Sequence, residues 1–222
     1  MLRSNLLQKY SQLVNHYFFN ETESKELIKY GISGKNVCKV EQVHGNRILE
    51  FNDSREIKPD GFDGMITDKS IYLQVRTADC LPIFLFVPNK KIVCALHAGW
   101  KGLMVGIVGN AVDLILSKGV KVEDIICVIG PHIGNCCYDV PYKRIKIFQT
   151  RDRIDHAISE KREDRWYLDI GSVAVNAFLT KGIKRKNIDN FDVCTKCNKD
   201  FASFRRDKDK SGRNISLIRL IS

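Results

Sequence analysis

The sequence predicts an α/β fold whose layers enclose a mixed β-sheet. Long apolar runs in the middle of the chain, rich in β-branched and aromatic residues, are typical of strands covered on both faces. Apolar residues at helical spacing precede and follow these runs, and a tight turn at Pro88-Asn89 joins two of them. Strands that alternate with helices and include one hairpin indicate α/β layers. With 222 residues, of which 44% are hydrophobic, we expect a single domain over residues 1–222.

The first half of the chain is predicted to contain two helices and then five strands. Apolar residues follow helical spacing from Leu6 to Val14, and a second short helix is expected at 24–30. The expected strands are the apolar segments at 36–41, 47–51, 71–77, 81–87 and 91–98. The turn QVHGN (42–46) separates the first two strands.

The second half is predicted to alternate between helices and strands. The expected elements are a helix at 103–118, a strand at 124–130, a charged helix at 142–162, an amphipathic helix at 168–182, and strands at 191–195 and 216–221. Gly182 is expected to end the amphipathic helix, because glycine readily adopts the left-handed conformation found at helix C-termini.

The hairpin brings a cysteine and a histidine to one face of the sheet. With Pro88-Asn89 as the turn, Cys80 faces His97 directly; with Asn89-Lys90 as the turn, the two become diagonal neighbours. A thiolate beside an imidazole suits a metal site or a nucleophile pair, and a buried core pair is the third interpretation. His44, in the turn QVHGN, adds a third candidate ligand, and three protein ligands with one open position are typical of catalytic zinc.

Two further groups of residues carry chemistry. Cys194 and Cys197 form a CxxC motif, but a zinc ribbon needs a second such pair and Cys136-Cys137 are adjacent, so we expect structural or incidental use. Three arginines lie close together around the turn at Ser211-Gly212, where their guanidinium forks suit phosphate or carboxylate. They are Arg205, Arg206 and Arg213. A basic surface loop is the alternative interpretation.

Charge and hydropathy bound the partners and the location. The net charge of +10 is interpreted as a lysine-rich solvated surface, because no aromatic–basic repeat, RGG run or zinc-finger spacing indicates nucleic-acid recognition. The longest apolar runs are far shorter than the roughly 20 residues that span a membrane, and the N-terminus lacks the apolar core of a signal peptide. We therefore expect a cytoplasmic protein without membrane association; the sequence does not indicate an oligomeric state.

Eight motifs together resemble one family. In chain order they are QVHGN, DGMITD, TADCLPIFLF, HAGWKG, GPHIGNCCYDV, YLDI, CT and SFRRD…SGR. Over roughly residues 36–220 the chain is similar to the multicopper polyphenol oxidase (laccase) domain family, also called the purine nucleoside phosphorylase or peptidoglycan editing factor family. Lys101 departs from the usual HAGWRG and keeps the cation without the planar fork. A lysine-rich insert at 208–210 is the other departure.

The resemblance implies a fold, a metal and a set of reactions. The fold would be related to cysteine hydrolases of the cytotoxic-necrotizing-factor type, and zinc would be held by His44, Cys80 and His97. The reactions would be phosphorolysis of adenosine, inosine, guanosine and methylthioadenosine, and deamination of adenosine. A four-copper centre needs more histidines than the five in this chain, although copper would bind the same ligands adventitiously.

The residue roles follow from this chemistry. Asp79, next to Cys80, is the candidate proton shuttle for deamination. Arg205 and Arg206, with Arg213 and Lys101, are the candidate contacts for orthophosphate and nucleoside. One alternative is a cysteine hydrolase that edits peptidoglycan precursors, with Cys80 as nucleophile and His97 as base. A less favoured alternative is a basic RNA-binding module.

Overall fold

The computed structural model describes residues 1–52, 60–151 and 158–221, which form three β-sheets with helices packed against them. The strands are β1 (Val14–Phe19), β2 (Val37–Lys39), β3 (Ile48–Glu50), β4 (Gly64–Thr67), β5 (Tyr72–Thr77), β6 (Leu81–Val87), β7 (Ile92–Ala98), β8 (Ile126–Ile129), β9 (Asp139–Val140), β10 (Ser159–Arg162), β11 (Arg165–Leu168), β12 (Ile188–Asn190) and β13 (Asn214–Leu220). The α-helices are α1 (Asn5–Gln8), α2 (Trp100–Met104), α3 (Ile107–Leu116), α4 (Tyr142–Arg151), α5 (Ile170–Thr180) and α6 (Phe204–Asp207). Short 3-10 helices lie at Glu23–Tyr30, Gly34–Asn36, Pro88–Lys90, Val122–Asp124, Arg185–Asn187 and Lys208–Lys210.

The central sheet has six strands in the order β12-β8-β6-β7-β4-β3. The β6–β7 hairpin is antiparallel, whereas β12 pairs with β8 and β3 pairs with β4 in parallel. A second sheet has the order β1-β13-β5-β2, and a small third one has the order β10-β11-β9. The predicted mixed α/β architecture is therefore confirmed.

The central hairpin is buried on both faces, as its continuous apolar sequence predicts. All seven residues of β6 and all seven of β7 are buried. Ile83 belongs to the core shared with α3 and α5, whereas Phe84 belongs to the core shared with the second sheet. Burying each large apolar side chain contributes roughly 1.5–3 kcal/mol, so the hairpin is a rigid base for the residues at its open end.

The hairpin register differs from the one that a Pro88-Asn89 turn predicts. His97 pairs with Pro82, and the connection has four residues, from Pro88 to Lys91. Lys91 adopts φ +49°, which adds a left-handed residue to the 3-10 turn at Pro88–Lys90. Cys80 precedes β6 by one residue, so it is the diagonal neighbour of His97 on the same face, as the alternative register predicts.

Two elements near the N-terminus differ from the prediction. The first helix ends at Gln8, and residues 14–19 form β1 rather than continuing the helix. β1 pairs along its whole length with β13, so tertiary pairing of aromatic and β-branched residues overrides the helical spacing. β4 was not predicted at all; it pairs with both β3 and β7. The second helix is present as a 3-10 helix.

The C-terminal half follows the prediction except at three places. The helix expected at 103–118 is interrupted at Gly106, whose φ of +85° separates α2 from α3. The helix expected at 142–162 is described from Tyr142 to Arg151, and residues 152–157 lie outside the described part. Residues 159–162 form a strand of the β10–β11 hairpin instead of helix. The strand expected at 191–195 is wrong, because β12 precedes it at 188–190. α5 and β13 are confirmed, and Gly182 has φ +86°.

Among the described residues, no helix is both long enough and apolar enough to cross a membrane.

Candidate metal centre

Three side chains meet at the open end of the β6–β7 hairpin. His97 is the second-to-last residue of β7, Cys80 precedes β6, and His44 lies on the loop between β2 and β3. Their ligand atoms all lie within 4.8 Å of one another. The Cys80 Sγ atom is 3.9 Å from His44 Nε2. The rings of His44 and His97 meet edge to face, with centroids 4.7 Å apart.

Asp63 holds the loop that carries His44. Its carboxylate accepts hydrogen bonds from the backbone N–H groups of Val43 (3.2 Å), His44 (2.9 Å) and Gly45 (2.6 Å). His44 has φ +62°, a conformation that is uncommon outside glycine and that these three bonds stabilise. Asp63 itself is fixed by its position immediately before β4.

The same carboxylate orients His97. The Asp63 Oδ1 atom lies 2.7 Å from His97 Nδ1, and both side chains are buried. Nδ1 is therefore engaged, and Nε2 is the nitrogen that faces Cys80. Burial alone would lower the pKa of His97, but Asp63 and Cys80 raise it to about 9. Burial opposes ionisation of Asp63, yet His97 and the N–H groups of Gly45 and His44 lower its pKa. A histidine held by a carboxylate through its second nitrogen is typical of metal ligands.

Cys80 is surrounded by groups that favour its thiolate. Burial raises the pKa of this thiol, but its hydrogen bonds with His44 and His97 outweigh burial and lower the pKa to about 6. A Cβ atom at Gly99 would lie 3.0 Å from the Cys80 sulfur and 3.1 Å from the His44 ring. Glycine at this position therefore leaves room for the cysteine and the histidine to approach each other.

The donor set fits a transition metal. Zinc–sulfur and zinc–nitrogen bonds of about 2.3 and 2.0 Å require ligand atoms within about 4 Å of one another, and the measured Cys80–His44 separation satisfies that requirement. One sulfur and two nitrogens leave a fourth position open, as in catalytic zinc sites. Copper would also accept these ligands.

Asp79 connects three of the sequence motifs. Its backbone has φ +88°. Its carboxylate accepts a hydrogen bond from the Thr195 hydroxyl (2.8 Å) and another from the backbone N–H of Arg205 (2.6 Å). Its backbone carbonyl accepts one from the backbone N–H of Ile133 (3.0 Å). The residue before Cys80 therefore joins the two loops at 133 and 195 to the start of α6.

The adjacent arginines Arg205 and Arg206 have different surroundings. The Arg205 guanidinium contacts Asp139 through Nη1 (2.6 Å to Oδ1) and lies over the Tyr138 ring, 5.1 Å from its centroid. Among the described residues, its Nε and Nη2 atoms have no hydrogen-bond acceptor. Arg206 uses Nε, Nη1 and Nη2 for Asp207 and for backbone carbonyls between residues 195 and 201.

The other two predicted basic contacts lie on exposed segments. Arg213 donates to the carbonyls of Ser211 and Gly212 in its own loop. The Lys101 ammonium lies 5.9 Å from the Trp100 ring centroid. Within the part of the chain that the structure describes, no hydrogen bond or ion pair joins either residue to the three candidate ligands.

The structure also brings in residues to which the sequence assigned no role. Asp63 stands in the motif DGMITD, but β4 was not predicted, so no local pattern marked this aspartate as a support for His97. Burial raises the pKa of Tyr138, and a thiolate at the nearby Cys80 raises it further. Arg144 donates to the Tyr138 hydroxyl (3.3 Å) and lies over the Trp100 ring, 4.0 Å from its centroid.

Known proteins and solved structures are similar to most of this chain. A family model described as multi-copper polyphenol oxidoreductase laccase matches residues 20–221. A purine nucleoside phosphorylase of Clostridium acetobutylicum is 31% identical over 191 residues, covering 83% of this chain and 77% of that protein. One from Aquifex aeolicus is 33% identical over 178 residues, covering 80% of each. The crystal structure of the Bacillus licheniformis hypothetical protein YfiH has a TM-score of 0.83 at 29% identity, covering 89% of this chain and 79% of that one. Because the family model matches most of the chain, the protein belongs to the multi-copper polyphenol oxidoreductase laccase family.

Proposed function

We propose that the protein is a zinc-dependent purine nucleoside phosphorylase that also deaminates adenosine. The observation that carries the proposal is the group of one thiol and two imidazoles at the open end of the hairpin, with ligand atoms within 4.8 Å of one another. The relatives named purine nucleoside phosphorylase support the same reaction. The substrates would be orthophosphate and adenosine, inosine, guanosine or methylthioadenosine.

The proposal assigns zinc to His44, Cys80 and His97, with Asp63 holding His97. When bound, zinc supplies Lewis acidity and makes water a nucleophile near neutral pH. Asp63 keeps Nε2 of His97 directed at the site, and Gly99 leaves room for Cys80 beside His44. We regard copper at this site as adventitious. All eight cysteines are free, as is typical of proteins in a reducing compartment, so we infer a cytoplasmic location.

In phosphorolysis, an orthophosphate oxygen bonds to C1′ of the ribose as the bond from C1′ to purine N9 breaks. The leaving base then takes up a proton. We propose that Arg205 holds the anion, because its Nε and Nη2 have no acceptor within the described residues and its backbone is tied to Asp79 beside Cys80. Arg206 instead braces the segment 195–201 through its carbonyl contacts. Arg213 and Lys101 contribute at most to attraction of the anion.

Replacing Arg205 by alanine is expected to raise KM for phosphate about 10- to 150-fold while KM for the nucleoside changes little, because a charge-assisted contact contributes about 1.5–3 kcal/mol. Arg206→Ala is the matched control: loss of its carbonyl contacts should lower the melting temperature, with a smaller effect on KM for phosphate. Steady-state kinetics with each substrate varied in turn gives both constants. A phosphate KM that is unchanged in Arg205→Ala contradicts the assignment.

In deamination, water adds to C6 of adenosine and ammonia leaves, so one proton must move from the water to the leaving nitrogen. Asp79 is our candidate for this transfer, because it immediately precedes Cys80. Its hydrogen bonds from Thr195 and Arg205 fix the carboxylate in one orientation. The same bonds support a second role for Asp79, which is to hold Arg205 beside the metal ligands.

The products test the proposal as a whole. Adenosine with phosphate is expected to give adenine, ribose 1-phosphate and some inosine. Without phosphate, adenine release should stop and inosine formation should continue, because only phosphorolysis consumes the anion. Chelation of zinc should stop deamination. Chromatographic separation of the bases and nucleosides measures all three outcomes. Equal adenine release without phosphate would show hydrolysis, and the proposal would then fail.

A second candidate function rests on the contact between Cys80 and His97. A thiol with a pKa of about 6 beside an imidazole also suits a cysteine hydrolase acting on peptidoglycan precursors. The relation of the fold to cysteine hydrolases of the cytotoxic-necrotizing-factor type, which the family resemblance implies, stays a prediction. Release of an amino acid from a muramyl precursor by metal-free protein, with no nucleoside turnover, would favour it. Tightly bound stoichiometric zinc argues against it, because the metal would occupy the thiolate. We do not propose nucleic acid as a partner.

A further inference from the structure

Four cysteine sulfur atoms form a second candidate metal site, separate from the centre formed by His44, Cys80 and His97. The cysteines are Cys136, Cys137, Cys194 and Cys197, and their Sγ atoms all lie within 4.8 Å of one another. Two of them follow β8 along the chain and two belong to the CxxC motif. Their spacing along the chain does not predict a shared site, because adjacent cysteines do not have the spacing of a second CxxC. The fold brings them together through a β-bridge between His132 and Cys194.

The distances between the sulfurs match a shared metal and not disulfide bonds. The Cys197 sulfur lies 3.3 Å from that of Cys137 and 3.6 Å from that of Cys136, whereas a disulfide bond is about 2.05 Å long. All four cysteines are free. Tetrahedral zinc with bonds of about 2.3 Å separates its sulfur ligands by about 3.8 Å, so a small adjustment of these side chains would complete the tetrahedron.

The backbone around Cys194 is arranged for a thiolate. The backbone N–H groups of Gly134, Lys196 and Cys197 lie close enough to its sulfur to favour the thiolate. Donors two and three residues after the first cysteine of a CxxC fold the motif around that sulfur, and such donors stabilise negative charge. A Cβ atom at Gly134 would lie only 3.3 Å from the Cys136 sulfur and 3.4 Å from Cys194 Cβ. Glycine at 134 therefore lets the segment that carries Cys136 lie close to the CxxC loop.

We propose that Cys136, Cys137, Cys194 and Cys197 bind a second zinc ion in a closed structural site. Four sulfur ligands in tetrahedral arrangement select zinc among the ions that do not change oxidation state. Binding releases the thiol protons that remain and forms four zinc–sulfur bonds, with no oxidant or reductant involved. The four thiolates then share one divalent cation, which reduces their mutual repulsion.

The second zinc would hold in place two loops next to the first centre, the one with Ile133 and the one with Thr195. The Ile133 N–H and the Thr195 hydroxyl both donate to Asp79, one residue from Cys80, and each lies within a few residues of a cysteine pair. A metal that joins the two cysteine pairs therefore holds these donors on either side of Asp79. The role of this zinc is structural, because none of the four cysteines touches the three ligands of the first centre.

The experiment counts zinc per chain in protein purified under reducing conditions without chelator. We expect two zinc ions in the parent, one in Cys80→Ala and one in the double variant Cys194→Ser/Cys197→Ser. Combining the three substitutions should leave none. Lys199→Ala, an exposed neighbour on the same loop, is the matched control and should keep two. A parent with one zinc that Cys80→Ala abolishes would overturn the proposal.

A spectroscopic measurement keeps the test decisive if the serine variants fail to fold. Cys80→Ala retains all four cysteines of the second site, and cobalt can replace zinc in it. We expect visible absorption typical of tetrahedral cobalt, with intense sulfur-to-cobalt charge-transfer bands. X-ray absorption should show four sulfur neighbours around the metal. Mixed nitrogen and sulfur neighbours, iron in place of zinc, or two disulfides by intact-mass measurement of the protein purified under reducing conditions would each contradict a zinc tetrathiolate.

Discussion

Cys80→Ala is expected to lose the zinc of the first centre and, with it, both phosphorolysis and deamination. Cys80 supplies the only sulfur among the three proposed ligands, and two histidines alone do not form the three-ligand set of a catalytic zinc site. The fold should survive, because the side chain stands before β6 rather than in the core shared by the two sheets. Elemental analysis and product chromatography measure the metal and the turnover, and circular dichroism checks the fold.

A buried cysteine elsewhere provides the control for this substitution. Cys38 lies on β2 in the second sheet, so Cys38→Ala should keep the zinc content of the parent even if it lowers stability slightly. Cys80→Ala protein that retains the full zinc content would exclude Cys80 as a ligand. Loss of zinc with turnover intact would instead separate the metal from the reaction.

Asp63→Ala is expected to weaken both the metal site and the fold. The carboxylate orients His97 and accepts three backbone N–H groups from residues 43–45, and all four bonds are lost together. Removing the carboxylate that holds a metal-binding histidine typically costs 10–100-fold in metal affinity. Removing one partner of a buried pair costs about 3–5 kcal/mol of folding free energy. Competition with a zinc chelator and urea unfolding measure the two effects.

Asp68→Ala is the control for that experiment. Asp68 lies just after β4, is exposed and forms an ion pair with its exposed neighbour Lys69, so its removal should change stability by less than about 0.5 kcal/mol. Asp63→Asn preserves the size of the side chain but not its charge. Its zinc affinity and its stability should fall between those of Asp63→Ala and Asp68→Ala. If Asp63→Ala binds zinc as tightly as the parent, the carboxylate is not a support for His97.

The β6–β7 hairpin shows which features of the fold could be predicted from the sequence and which could not. Two continuous apolar runs were enough to predict β6 and β7, because strands buried on both faces need apolar residues at every position. The register was not predictable from the turn residues alone, since Lys91 adds a left-handed residue that lengthens the connection. The prediction that Cys80 and His97 share a face did not depend on that detail, because it holds in both two-residue registers considered.

Patterns in the sequence predicted the mixed α/β class and most of the buried strands. They also predicted, as candidate ligands, the three side chains that meet at the open end of the hairpin. Tertiary structure decided β1, where pairing with β13 overrides helical spacing, and it decided which neighbours each polar group received. Asp63 supports His97, and the Arg206 guanidinium donates to backbone carbonyls. Two cysteine pairs, separated by 57 residues from Cys137 to Cys194, come together. Periodicity in a sequence reports which residues are buried. Contacts between distant loops depend on how the layers pack, which no local pattern encodes.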